Sequence, residues 1–201
     1  PLLKEDDLIS LFREIEMPLV SVLAKMERQG INLDRDSLQI FSKELESSVK
    51  EIQDEIFDVA GIKFNISSPK QLGEVLFDHL KIDDKAKKTK TGQYSTSEKV
   101  LSKLKKKHPI VEKVLTFRSL QKLRSTYVDA LPGLINTNTQ RIHTSFNQAV
   151  AATGRLSSNN PNLQNIPIRT ERGREVRKAF IPRDDNHVLL AADYSQVELR
   201  L

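Results

Sequence analysis

Before Pro132 the apolar positions recur at helical spacing; after it they alternate. Leu8, Leu11, Phe12 and Ile15 share one helical face, opened by Asp7 or a neighbour as cap. Pro18 has no backbone N–H to donate, so a break or a new start is predicted near Met17. Leu19, Val22, Leu23 and Met26 then resume the face, and Gly30 stands where a C-terminal cap belongs. Ile31–Leu33 reads as a short extended piece. The clearest helix starts at Asp34 or Asp36, with Leu38, Phe41, Leu45, Val49, Ile52, Ile56 and Val59 at steps of three and four before Gly61. Its stripe asks for a partner helix and carries no chemistry of its own.

Ser68-Pro69-Lys70-Gln71 is a helix start with a cap, a first-turn proline and a glutamine three residues after the cap. Leu72, Val75, Leu76 and Leu80 follow inward. Lys81–Tyr94 is lysine-rich, poor in apolar residues, and reads as an exposed, mobile loop. Ser95–Glu98 opens another helix with Val100, Leu101 and Leu104 inward, and Pro109 opens the next, which runs to Tyr127 and ends by Pro132-Gly133. Past that point Gln140–Phe146 alternates, with Ile142, Thr144 and Phe146 on one side, as a strand does. Gln148–Ala152 is its candidate partner. Thr153–Pro167 has the Asn, Ser, Gly and Pro content of a loop with turn chemistry. Thr170–Phe180 reads as a short helix with a basic outer face of Arg172, Arg174, Arg177 and Lys178. Val188–Ala192 is an apolar run of buried-strand length that ends on Asp193. A carboxylate at the mouth of a buried strand suits a hard divalent cation. It suits the cap of a following helix equally well, and these residues alone leave both open.

Composition narrows the class. The chain has 201 residues, 38% of them hydrophobic, enough for one or two domains with a modest core. There is no Cys, so disulfide frameworks and thiolate metal sites are excluded. His79, His108, His143 and His187 have no metal-ligand spacing. No apolar run reaches membrane-spanning length and no signal-peptide pattern opens the chain, so a soluble intracellular protein with no membrane partner is expected. Net charge is +5, but Lys81–Lys107 alone carries ten Lys against Asp83, Asp84 and Glu98. A second basic stretch, Arg155–Arg183, has seven Lys or Arg against Glu171 and Glu175. Two basic segments on a near-neutral body suit a polyanion, although a run such as Lys103–Lys107 also suits a merely solvated face.

Two motifs then add a resemblance. Asp193-Tyr194-Ser195-Gln196-Val197-Glu198-Leu199-Arg200 resembles the first catalytic motif of family A DNA polymerases, with Val197 in place of the usual Ile. Thr153-Gly154-Arg155-Leu156-Ser157-Ser158 followed by Pro161-Asn162-Leu163-Gln164-Asn165-Ile166-Pro167 resembles that family's minor-groove and primer-binding segment. The similarity extends, more weakly, back to about Glu16. It implies an α+β, mainly α-helical fold: a helical thumb plus a partial antiparallel palm sheet. Residues 1–34 would be the entry to the polymerase domain, 35–132 the thumb, and 133–201 the first part of the palm.

By the same resemblance, Asp193 is catalytic and bridges two Mg²⁺ ions, and the carbonyl of Tyr194 ligates the nucleotide-side ion. Glu198 excludes a 2′-hydroxyl and Gln196 supports the incoming dNTP. Arg155, Asn162, Gln164 and Asn165 reach primer and template at the minor groove, and Arg169 lies near phosphates. Lys87, Lys88, Lys90, Lys122 and Arg124 are the thumb's candidates for duplex phosphates. The family's second carboxylate motif and its triphosphate-gripping helix are not among these residues. The chain is therefore expected to be a fragment, inactive alone, holding no stable Mg²⁺, binding primer-template DNA and prone to self-association. A cytoplasmic location at the bacterial nucleoid follows from the resemblance. A free-standing, non-catalytic nucleic-acid-binding module is the alternative. A helical interaction domain with incidental lysines has difficulty with both motifs occurring together.

Overall fold

The computed structural model describes residues 2–89 and 92–199, with the side chains of Leu2 and Glu198 left aside. After a short turn of helix at Ile9–Leu11, a widened π-type turn covers Phe12–Glu16 and runs into α1, Met17–Gln29. The Met17 N–H reaches back five residues to the Phe12 carbonyl. The break predicted at Pro18 thus takes the form of a wider turn. It gives the proline ring room where an ordinary helix would bring it against the carbonyl four residues back. Gly30 caps α1 at φ +63°, and β1, Asn32–Leu33, follows.

The long helix α2, Arg35–Ala60, begins where the Asp34 carboxylate accepts the Ser37 N–H at 3.0 Å. Helix α3, Pro69–Gly73, starts on Ser68, whose hydroxyl accepts the Gln71 N–H at 3.4 Å. The Gln71 amide oxygen does not close back on its own cap; it accepts from Asn65 N–H at 2.7 Å and folds the preceding turn onto the helix. A π-type turn, Glu74–His79, extends α3. Then come α4, Glu98–Leu104, and α5, Pro109–Leu123, continued by a second such turn over Arg124–Val128. The remaining elements are β2, Ser145–Asn147, β3, Ser157–Asn159, α6, Glu171–Lys178, and β4, Phe180–Ile181. Mainly helical with small antiparallel sheets, the architecture is the α+β one expected. No helix among the described residues is long and apolar enough to cross a membrane.

The chain divides into two compact units, Gln39–Asp129 and Pro1–Leu38 with Ala130–Leu201. The first is all helix and loop. Its core is built from Ile56 and Ala60 of α2, Leu72, Val75, Leu76 and Phe77, Leu101 and Leu104 of α4, and Ile110, Val111, Val114 and Phe117 of α5. The stripe on α2 therefore finds its helical partners. Each fully buried Leu or Ile there contributes roughly 1.5–3 kcal/mol.

The second unit is held by short ladders. β1 pairs with β4 antiparallel, Asn32 opposite Ile181 and Leu33 opposite Phe180, and Ile31 exchanges both backbone bonds with Ile142 at 2.9 Å. β2 pairs with β3, Ser145 opposite Asn159 and Asn147 opposite Ser157. The partner of β2 is thus Ser157–Asn159, not Gln148–Ala152. The residues after β2 are diverted: the Asn147 carboxamide oxygen turns back the Ala149 N–H at 2.9 Å, and the Gln148 amide donates to the Glu16 carbonyl at 3.0 Å. A second expectation also fails. Val188–Ala192 forms no strand, and Val188 and Leu190 are 86% and 91% exposed. A strand is held by a neighbour's backbone groups, and no described residue supplies them here.

Candidate nucleic-acid interface

The alternation around Ile142 puts a hydroxyl where a core side chain would sit. Ile142 is fully buried and Thr144 nearly so. A buried hydroxyl requires partners, and Thr144 finds them across the β2–β3 ladder. Its Oγ1 lies 2.7 Å from the Ser158 Oγ, 2.8 Å from the Pro161 carbonyl and 3.1 Å from the Asn159 carbonyl. Ser158, also fully buried, accepts the Leu163 N–H at 3.1 Å and reaches the Pro161 carbonyl at 3.2 Å. Two hydroxyls thus tie the turn 159–163 to the end of the sheet. The turn contains a cis bond between Asn160 and Pro161.

This knot orients the amides beyond it. The Ser158 N–H donates to the Gln164 Oε1 at 3.1 Å. A backbone N–H can only donate, so the atom facing it is the oxygen, and the Gln164 NH₂ group is turned the other way on an exposed side chain. The Asn162 Oδ1 accepts the Gln164 N–H at 3.0 Å, which closes a small turn and spends that oxygen internally. Asn165, Arg155 and Arg169 are exposed on the same loop. The loop ends on α6, where the Thr170 hydroxyl caps the helix by accepting the Gly173 N–H at 3.0 Å. Arg172, Arg174, Arg177 and Lys178 are all exposed along α6, and Lys178 pairs with Glu175 at 2.7 Å. One loop and one short helix therefore carry donors and cations with few acceptors among them.

The acidic segment is less organised. Asp193, Tyr194 and Gln196 are exposed, Gln196 with φ +59°, and Val197–Leu199 is one turn of 3₁₀ helix. The Glu198 side chain lies outside the described residues. No group of three or more metal-ligating His, Cys, Asp or Glu side chains gathers among the described residues. Asp193 and the Tyr194 carbonyl are hard oxygen donors of the type Mg²⁺ prefers, but too few to hold an ion without further ligands.

In the helical unit the candidate cations differ in what they touch. Lys122 and Lys87 are exposed. Arg124 is bound to two carboxylates, Glu46 at 3.3 Å and Asp129 at 3.1 Å, so much of its charge is already answered. Lys88 lies over the Tyr94 ring, its Nζ 4.7 Å from the centroid. Lys90 lies outside the described residues. Sequence reasoning missed Thr144 and Ser158. The signal for the first was present, a hydroxyl at an inward position of an alternating stretch, although the strand expected over Gln140–Phe146 is observed only as β2, Ser145–Asn147, after an isolated bridge at Ile142. Ser158 had none, because its burial depends on the β2–β3 register.

Comparison with known proteins gives a consistent answer. The family model described as DNA polymerase family A matches residues 35–201. DNA polymerase I of Synechocystis sp. is 55% identical over 97% of this chain, and that of Bacillus subtilis 49% over 99%. The thermostable DNA polymerase I of Thermus aquaticus is 50% identical over 98%. The chain spans 20%, 22% and 24% of the length of these three relatives. Among solved structures, the POL domain of Pol1 from M. smegmatis, in complex with DNA primer-template and dNTP, superposes with a TM-score of 0.86 at 42% identity. The match covers 98% of this chain and 35% of that one.

Proposed function

The chain belongs to DNA polymerase family A, and from that we infer that it is the duplex-holding part of a template-directed DNA polymerase acting in replication and repair. On this reading residues 35–132 are the thumb, 133–201 open the palm, and 1–34 lead into both. Primer-template DNA and dNTP, which the M. smegmatis neighbour binds, are the proposed partners here.

The observation that carries the proposal is the Gln164 amide. Its oxygen is spent on Ser158, so it offers N–H donors outward. Every Watson–Crick pair presents acceptors in the minor groove, at purine N3 and pyrimidine O2. A fixed donor there tests pair geometry without reading sequence. Arg155 and Asn165 would add to the same contact, and Asn162 would hold the turn. Arg169, α6 and the thumb lysines would meet phosphates, which demand charge and not sequence readout.

Asp193 is the proposed catalytic carboxylate, with the Tyr194 carbonyl beside it. Two Mg²⁺ ions, when bound, would stabilise the attacking primer 3′-oxygen and the leaving pyrophosphate oxygens. Asp193 would hold the metal side of the site, Gln196 would support the nucleotide, and Glu198 would lie against the sugar and exclude a 2′-hydroxyl. The two-metal reaction needs a second carboxylate, so these 201 residues by themselves are expected to bind duplex but not to extend a primer.

The test is titration of a primer–template duplex by fluorescence anisotropy at several salt concentrations. Tight binding with a steep salt slope is expected, and Gln164→Ala should weaken it with the slope kept, since the lost contact is to a base edge. Absence of salt-dependent duplex binding would overturn the assignment. In a complete polymerase carrying this segment, Asp193→Ala should abolish incorporation with duplex affinity nearly intact. Glu198→Ala there should relax rejection of ribonucleotides.

A further inference from the structure

The segment from Lys81 to Thr96 has the composition of a mobile loop, yet its described residues are tied down at several points. The Ile82 N–H donates to the Leu76 carbonyl at 3.1 Å, and Lys107 holds Asp83 at 2.8 Å. At its far end the half-buried Arg118 donates to the Thr96 carbonyl and, at 3.2 Å, to the Thr96 hydroxyl. Between these anchors the chain turns on itself. Lys88 and Tyr94 form a backbone bridge, and the Thr89 N–H and hydroxyl both donate to the Gln93 carbonyl, at 2.7 and 3.0 Å.

Tyr94 is the centre of this arrangement. Its ring lies 4.9 Å from that of Phe77, and its hydroxyl donates to the Asp78 carboxylate at 2.6 Å. Gly73 lets it in: a Cβ there would stand 2.9 Å from the Tyr94 Cβ. On another side the Lys88 ammonium sits over the ring. The Phe77 ring, the Asp78 carboxylate and the Lys88 cation thus all meet at one side chain. The bond to Asp78 also holds the Tyr94 hydroxyl above its ordinary 10.0, which favours the protonated, donating form.

We propose that Tyr94 is a positioning residue: it latches the lysine-bearing hairpin onto the Phe77–Asp78 turn and so presents Lys88, with Lys87 beside it, ready to meet duplex phosphates. The proposal rests on the thumb reading above and adds to it. Lysines on a loose loop lose conformational freedom when they bind, whereas a latched loop has already lost it. The cation over the ring is held in place while its N–H groups stay able to donate to phosphate oxygens.

Tyr94→Phe is the decisive variant, because it keeps the ring contacts and removes only the bond to Asp78. Duplex affinity should fall about threefold to tenfold, and hydrogen exchange at the Thr89 amide should quicken. Asp78→Asn alone, whose amide oxygen can still accept from the Tyr94 hydroxyl, should keep most of both. If Tyr94 acts through Lys88 and Lys87, adding Tyr94→Phe to the variant Lys87→Ala/Lys88→Ala should weaken binding no further. Additive losses would overturn the positioning role. Unchanged Thr89 exchange in Tyr94→Phe would refute the latch whatever the DNA result. Quickened exchange with wild-type affinity would refute its purpose while leaving thumb binding intact. Failure of the unaltered chain to bind duplex would sink both this role and the assignment beneath it.

Discussion

Gly30 shows how much of the second unit depends on a single missing side chain. Its φ of +63° is unfavourable for any residue with a Cβ, and a Cβ built there would stand 2.6 Å from the Ile142 carbonyl oxygen. That carbonyl accepts the Ile31 N–H, so it cannot move aside without breaking the bridge. Gly30→Ala is expected to cost about 2–4 kcal/mol, combining backbone strain with a lost ladder bond. Chemical denaturation with a probe in 130–201 checks it, and a cost below the error of the measurement would refute it. A second residue is set by charge. Asp83 is held below its ordinary 3.8 chiefly by the hydrogen bond from Lys107, against an opposing effect of burial, with that lysine's charge adding a lesser lowering. A carboxylate lowered on folding adds stability above its unfolded value and loses it as pH falls through the folded one. The pinning of the loop by Asp83 should therefore persist to pH 3.8 and fade only below it. Lys107→Met should move the Asp83 titration, followed by carboxyl NMR, upward toward the ordinary value.

The β2–β3 turn is the element on which the amide donors depend, and its two buried hydroxyls are its fastening. Ser158→Ala would strand the Leu163 N–H and leave the Pro161 carbonyl with one partner fewer. The expected cost is about 1–3 kcal/mol. If the turn also positions Gln164, duplex affinity should fall in the same variant, whereas Thr144→Ser, which keeps the hydroxyl, should bind as the parent does. Loss of stability with affinity unchanged would show that the turn is structural only. This element also shows what could be read from the chain. The helices were legible because apolar residues at steps of three and four, with Ser68 and Asp34 as caps, state both the face and the start. The exposed amides of Thr153–Pro167 were legible from composition, but the strand Ser157–Asn159 inside that expected loop was not. The pairing of β2 was not, since Ser145, Ser157 and Asn159 carry no apolar pattern to set a register. Nor was the order within Lys81–Thr96, which rests on single contacts made by Tyr94, Arg118 and Lys107. Val188–Ala192 misled for the opposite reason: an apolar run states a preference for burial but supplies no partner.

The molecule is uneven in how its apolar surface is covered. The core cluster lies wholly within Gln39–Asp129. A piece running from Asp34, so that α2 keeps its cap, through Asp129 should therefore fold alone and melt cooperatively, as circular dichroism would show. A broad, non-cooperative loss of helix would count against it. Elsewhere apolar side chains are left open. Ile15, Met17, Val22 and Met26 are each about half exposed in and before α1, and Val188 and Leu190 almost fully so. A cavity of about 520 Å³ lined by Met26, Ile31, Ile142, Phe146 and Leu163 adds to this surface. Scattered exposed apolar residues are ordinary, but contiguous ones drive association, and an extended apolar segment with unpaired backbone groups invites pairing with another chain. Reversible self-association is expected in sedimentation equilibrium, with the mean mass rising with concentration. Leu190→Ser separates the two causes. If the extended segment is responsible, that change should return the chain to a monomer. If association survives it but yields to Met17→Lys, the helical face is responsible. A constant monomer mass over the whole range would mean that this surface, though open, is too weakly apolar to hold a second copy.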